Sequence, residues 1–144
     1  MSLLHVLTIA GHVLFAAAWL GMTTFLPRVA RIAASGDLSV IELGQKMVAA
    51  TTGSAVLFYG LACANWVLGM QTGLRLQYNS WPYHTSISLG LVLVVVQLLL
   101  IRGGWKTVEQ GGEAKRLSAG VGIGSLVWLA MFVLMYVGRG IVGA

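Results

Sequence analysis

Charge is what this chain has least of. Charged residues make up 9% of it, against about 25% in an ordinary globular domain. Only four are acidic: Asp37, Glu42, Glu109 and Glu113. None of them falls inside a long apolar run, which argues against a carboxylate proton relay through a membrane and leaves a hydrolytic triad without its acid member. Cysteine is nearly absent too. Cys63 stands alone, so there is no internal disulfide and no thiolate metal cluster. Its place inside an apolar run marks a small buried side chain. Proline occurs twice. Pro27 biases Leu26 away from helix, and Pro82 suits the first turn of one. No phosphate-cradling motif is visible.

What remains is apolar. Hydrophobic residues make up 58% of the chain, and the mean hydropathy is +0.86. A membrane helix needs about 20 mostly apolar residues. Four stretches qualify, at about 3–26, 47–70, 83–101 and 117–137, and they use most of the 144 residues. The sequence therefore predicts one all-α domain over 1–144, an integral membrane bundle of four transmembrane helices with the lipid bilayer as a partner. Residues 1–25 lack a basic start and carry too long an apolar run for a cleaved signal, so they read as a retained span.

The net charge of +5 is not a nucleic-acid signature, because the basic residues sit between spans. Loop one holds Arg28, Arg31 and Lys46, and loop three holds Arg102, Lys106, Lys115 and Arg116. Loop two has only Arg75 and the C-terminal tail only Arg139. The positive-inside rule then puts loops one and three in the cytoplasm and both termini outside, in the inner membrane of a bacterium. Loop one contains a Ser-Gly-Asp turn at 35–37, with a short surface helix over 38–46. Loop three, with two Gly-Gly pairs, reads as solvated and flexible. Tyr78, Trp81 and Tyr83 read as interfacial anchors, and Gln97 as an interhelical hydrogen-bonding group. Gly120 and Gly124 predict a close helix crossing, within the chain or across an oligomer.

The three histidines carry the chemistry. His12 lies inside the first span, where a polar side chain must face a cavity, a partner or a metal. His5 and Trp19 stand seven residues to either side of it, close to two helical turns, and so share its face. Thr8 and Ala16 leave room beside it. His84 falls one turn inside the third span. Imidazole is a usual axial ligand for haem iron, and four-helix bundles build such sites from facing helices. Haem b needs no covalent attachment motif. Depth favours pairing His84 with His5, whereas helix tilt would bring it to His12 instead. Trp128, Met131 and Met135 form a stripe at helical spacing that reads as packing.

The order His12, six residues, Trp19, seven residues, Pro27, Arg28 resembles the first helix of the HemJ-type protoporphyrinogen oxidases. The run Ala-Ala-Ala-Trp-Leu-Gly at 16–21 is similar to the related CopD copper-resistance proteins. The resemblance implies a small four-helix membrane protein with His12 as its functional histidine. The HemJ-type pattern also has a Lys early in the third helix and an Asn-Glu pair leading into the fourth. This chain has Thr85 and Ser86 at the first place and Ser118, Ala119 and Gly120 at the second. Oxidase activity is therefore not expected to carry over.

These features give a leading reading and its competitors. The leading one is a haem b protein that moves electrons, alone or as a subunit of a membrane redox complex, with His12, His84, His5 and Trp19 about the cofactor and His12 and His84 on the metal. The others are a cofactor-free accessory subunit docking other membrane subunits or its own copies, a protoporphyrinogen oxidase, and, more weakly, a copper transporter. For the topology, cysteines placed at Ser2 and Gly143 in a Cys63→Ala background should react with an impermeant thiol reagent on intact cells. Reaction only after lysis would reverse the orientation.

Overall fold

The computed structural model describes residues 2–142, with side chains through residue 138. Among them the chain is all α-helix, with four helices long and apolar enough to cross a membrane, and the protein is a multi-pass membrane bundle. Helix α1 is Leu3–Ala33, α2 is Leu38–Met70 and α3 is the single turn Arg75–Tyr78. The third span, Trp81–Glu109, is built of α4 (Trp81–Val96), a π-helical stretch Gln97–Arg102, and α5 (Gly103–Glu109). Helix α6, Lys115–Val142, is the fourth span. The C-terminal Gly143 lies outside the described residues.

The spans form a ring in the order α1, α2, α4, α6. Neighbours in the ring pack against each other, and α1 and α4 lie on a diagonal. Large apolar side chains such as Leu14, Phe25, Leu126 and Phe132 point outward, as expected where the solvent is lipid. Polar side chains point inward: Thr23, Thr51 and Gln97 are fully buried.

The helices run further than the apolar stretches suggested. At about 1.5 Å per residue, the 31 residues of α1 reach about 46 Å, against a hydrocarbon core of about 30 Å. Loop one shrinks to the turn after Ala33, where Gly36 takes φ of +89°. Pro27 does not end the helix. Leu26, Ala30 and Ala33 are buried in the core on either side of it, and that packing outweighs the one main-chain bond a proline removes. Asp37 caps α2, accepting from the Ser39 and Val40 amides. The Ser39 hydroxyl, more than those amides, holds this exposed carboxyl below its usual pKa. The cap's stabilisation is therefore complete above the ordinary carboxylate range and is lost as pH falls through the depressed value.

Loop three is also mostly helix rather than flexible, although much of it is exposed as expected. Trp105 and Val108 are buried, and Trp105 lies directly over Gly44, where a Cβ would overlap the indole. Gly104 lets the third span approach the Leu117 main chain, where a Cβ would come within 2.6 Å of the Leu117 nitrogen. This glycine serves contact rather than flexibility. Tyr78 is likewise no simple surface anchor: it is buried against Gly69.

The centre of the ring holds a polar knot. The Trp19 indole N–H donates across the diagonal to Gln97 Oε1 at 2.9 Å. Gln97 Nε2 donates to the Thr51 and Thr52 hydroxyls, both at 3.0 Å. The carboxamide thus satisfies its acceptor and both donors in a dry interior. On α6, a Cβ at Gly124 would lie 2.8 Å from the Trp19 ring, and one at Gly120 would lie 2.6 Å from Leu100 Cβ. The first, third and fourth spans therefore meet at the Trp19 indole, and α2 joins them through Gln97.

Gln97→Leu should strand the Trp19 N–H and cost about 1–3 kcal/mol, read as a lower thermal unfolding midpoint in detergent. Gly124→Leu should be worse, because Trp19 has nowhere to go. An unchanged midpoint in Gly124→Leu would show that the indole does not hold the four spans together.

Candidate functional site

The described residues leave two adjoining chambers beside His12. The larger, about 430 Å³, is lined by His12, Val13, Ala16 and Ala17 of α1, Phe58 of α2, Tyr83 of α4, and Trp128, Met131, Phe132, Met135 and Tyr136 of α6. That volume lies in the usual range for small-molecule sites, about 300–1,000 Å³. Val13, Phe132 and Tyr136 are exposed, so the chamber is a groove between α1 and α6 on the surface that faces lipid. The Trp128 and Phe132 rings are nearly parallel, at 4° with centroids 5.8 Å apart. The smaller chamber, about 130 Å³, is lined among others by His12, Asn65, Trp66 and Tyr78. The two share His12, Val13, Tyr83 and Met135.

His12 is held by the main chain. Gly11 packs close to Leu61, bringing α1 near α2. His12 Nδ1 then lies 3.0 Å from the Phe58 carbonyl oxygen, and the imidazole stacks on the Phe58 ring at 4.6 Å. A carbonyl only accepts, so in the neutral ring Nδ1 carries the hydrogen and Nε2 keeps its lone pair. Among the described residues nothing bonds to Nε2, and the ring lines both chambers. An imidazole fixed through Nδ1–H to a carbonyl, with Nε2 free, is the arrangement that orients a metal-ligating histidine.

The other expected site residues lie elsewhere. His5 is fully buried, and its Nε2 lies 3.1 Å from the Tyr78 hydroxyl. His84 is exposed, donating from Nε2 to Asn79 Oδ1 at 3.3 Å, with its edge against Trp66. It is not among the residues lining either chamber; its neighbour Tyr83 is. The structure therefore does not bring His84 to His12. Trp19 is in the polar knot, one layer away from the groove wall formed by Ala16 and Ala17. Among the described residues no three His, Cys, Asp or Glu side chains cluster as a metal site.

The Trp128, Met131 and Met135 stripe, read from the sequence as packing, forms the α6 wall of the groove together with Phe132 and Tyr136. The sequence reading missed Tyr83 and Phe58 as lining residues, whose roles depend on how the helices are set against each other. Asn65 is buried with its Oδ1 unpartnered among the described residues. It lines the smaller chamber beside His12.

No family model, curated protein or solved structure matches this chain.

An orphaned buried acceptor costs stability, so Asn65→Leu should leave the thermal midpoint unchanged or raise it. Thr51→Val, which removes a partner of Gln97, should lower it. A large loss in Asn65→Leu alone would mean that the carboxamide is bonded in solution.

Proposed function

We propose that this chain is a small membrane redox protein of the HemJ/CopD-like kind that holds haem b at His12, acting in electron transfer alone or within a larger membrane complex. The observation that carries the reading is the His12 imidazole, fixed by the Phe58 carbonyl and presenting an unbonded Nε2 to a groove of about 430 Å³. His12 Nε2 would hold the iron. Phe58, Trp128 and Phe132 offer flat apolar walls, and Ala16 and Ala17 keep the α1 side of the groove shallow. Bound haem supplies a one-electron couple whose potential is set by its ligands and surroundings. The groove's part is to hold the ring, exclude water and fix the imidazole.

Among the described residues the lining holds no lysine and no carboxylate, so it offers no charged partner to the carboxylates of a haem or of a porphyrinogen and does not separate those two readings. Orientation follows from charge: we place the end bearing Arg28, Arg31, Lys46, Arg102, Lys106, Lys115 and Arg116 in the cytoplasm of a bacterium. The groove then lies in the outer half of the inner membrane.

Protein purified from haem-replete cells should show a Soret band and a b-type reduced spectrum. His12→Ala should lose the haem or turn it high-spin, and the protein should still fold, since the change removes one interhelical hydrogen bond, to the Phe58 carbonyl, and leaves the Gln97 knot intact. Wild-type protein that has no Soret band and takes up no added haem would leave a cofactor-free accessory subunit as the better account.

A further inference from the structure

The smaller chamber is lined by five side chains that carry nitrogen or oxygen: His12, Asn65, Trp66, Tyr78 and Tyr83. Three of them are engaged. The Trp66 indole N–H donates to the Tyr78 carbonyl at 3.1 Å. The Tyr78 hydroxyl lies 3.1 Å from His5 Nε2, and the Tyr83 hydroxyl accepts from Gln77 Nε2 at 3.1 Å. The other two are buried, and each offers a spare acceptor. Asn65 is 7% exposed, with its Oδ1 unpartnered among the described residues. His12 is 9% exposed, and its Nε2 keeps a lone pair because Nδ1–H faces the Phe58 carbonyl. Two buried acceptors with nothing donating to them favour a ligand that brings its own hydrogens. A carbonyl oxygen would only add another lone pair.

The chamber also limits the ligand's size and charge. Its volume is about 130 Å³, and a cavity of about 150 Å³ takes up one benzene ring. Ile9, Ala62 and Ile87 give it apolar walls. No Lys, Arg, Asp or Glu lines it, which excludes ionised lipids such as phospholipids and fatty acids. Val13 also lines it and is exposed on the surface that faces lipid, so an apolar tail has a way out into the bilayer. We propose that this chamber binds the ring of an uncharged hydroquinone lipid, with one hydroxyl donating to Asn65 Oδ1 and the tail passing Val13 into lipid. His12 Nε2 accepts from the second hydroxyl where no iron occupies it. The inference goes beyond the haem reading and does not rest on it. Haem would sit in the larger groove, and Asn65 would keep its role.

The test is anaerobic calorimetric titration of the full chain in detergent with a decyl-tailed hydroquinone, its dimethyl ether and the corresponding quinone. The hydroquinone should bind saturably, one per chain. The ether and the quinone, which donate no hydrogen, should each bind at least about tenfold more weakly. Asn65→Leu should bring the hydroquinone down toward the ether's affinity. Tyr136→Leu, which changes only the larger groove, should leave the preference as it is. The proposal is overturned if wild-type protein binds the ether or the quinone as tightly as the hydroquinone, a result that needs no variant to fold. It is equally overturned if the hydroquinone does not saturate, or if Asn65→Leu keeps the full preference. Those outcomes leave haem at His12 standing. A protein that has no Soret band but prefers the hydroquinone removes the haem reading and leaves this one.

Discussion

One hydrogen bond crosses the middle of this bundle, and the positions of all four spans depend on it. The Trp19 indole of α1 reaches Gln97 on the diagonally opposite span. In a bilayer, helices gain nothing from hiding apolar surface, because lipid is as apolar as leucine. Packing and interhelical polar contacts must fix which face of each helix turns inward. Gln97 does this for three spans at once, since its donors reach Thr51 and Thr52 on α2. The fourth is fixed by shape, where Gly124 gives Trp19 its space. The π-helical stretch begins at Gln97 itself. Such stretches occur often at functional positions in helices.

The same device recurs at both ends. Large aromatic rings lie on bare glycines: Trp105 on Gly44 at the end bearing the basic loops, and Tyr78 on Gly69 at the opposite end. In each case a Cβ would sit inside the ring. The 19 glycines of the chain are therefore not all alike. Gly36 and Gly111 serve turns through positive φ, whereas Gly53, Gly60 and Gly122 meet nothing at all. The ring-bearing positions, with the close contacts of Gly11, Gly90, Gly104 and Gly120, bring the helices together.

This division explains how much of the fold was legible in the residues. Apolar runs gave the number and order of spans, because a bilayer imposes length and composition directly. The polar role of Gln97 was legible as well, since a carboxamide in an apolar wall must find partners. The loops were misjudged where local signals met long-range packing. Pro27 marks a helix end by its own chemistry, yet Leu26, Ala30 and Ala33 continue the buried face through it. Gly103 and Gly104 look like a hinge in sequence, but Gly104 is a contact surface for Leu117. Leu117 is not close to Gly104 in sequence, and which face of α1 is buried depends on the other helices, so neither was available without the fold. The groove shows the same limit. His12 could be singled out, but its Phe58 carbonyl and the α6 wall come from elements far along the chain.

The two halves of the bundle differ in how far their polar groups are satisfied. Toward the basic end, Thr23, Thr51, Thr52, Trp19 and Gln97 all have partners. The buried polar atoms without partners among the described residues are His5 Nδ1, Asn65 Oδ1 and Ser86 Oγ. All three belong to the half that contains His12 and both chambers. Each such atom costs stability unless water or a ligand completes it. Proteins break their own rules of polar satisfaction mainly where function requires it. A ligand at His12 would enter a site whose walls are already set by the Gln97 knot, and it would pay little ordering cost to bind there.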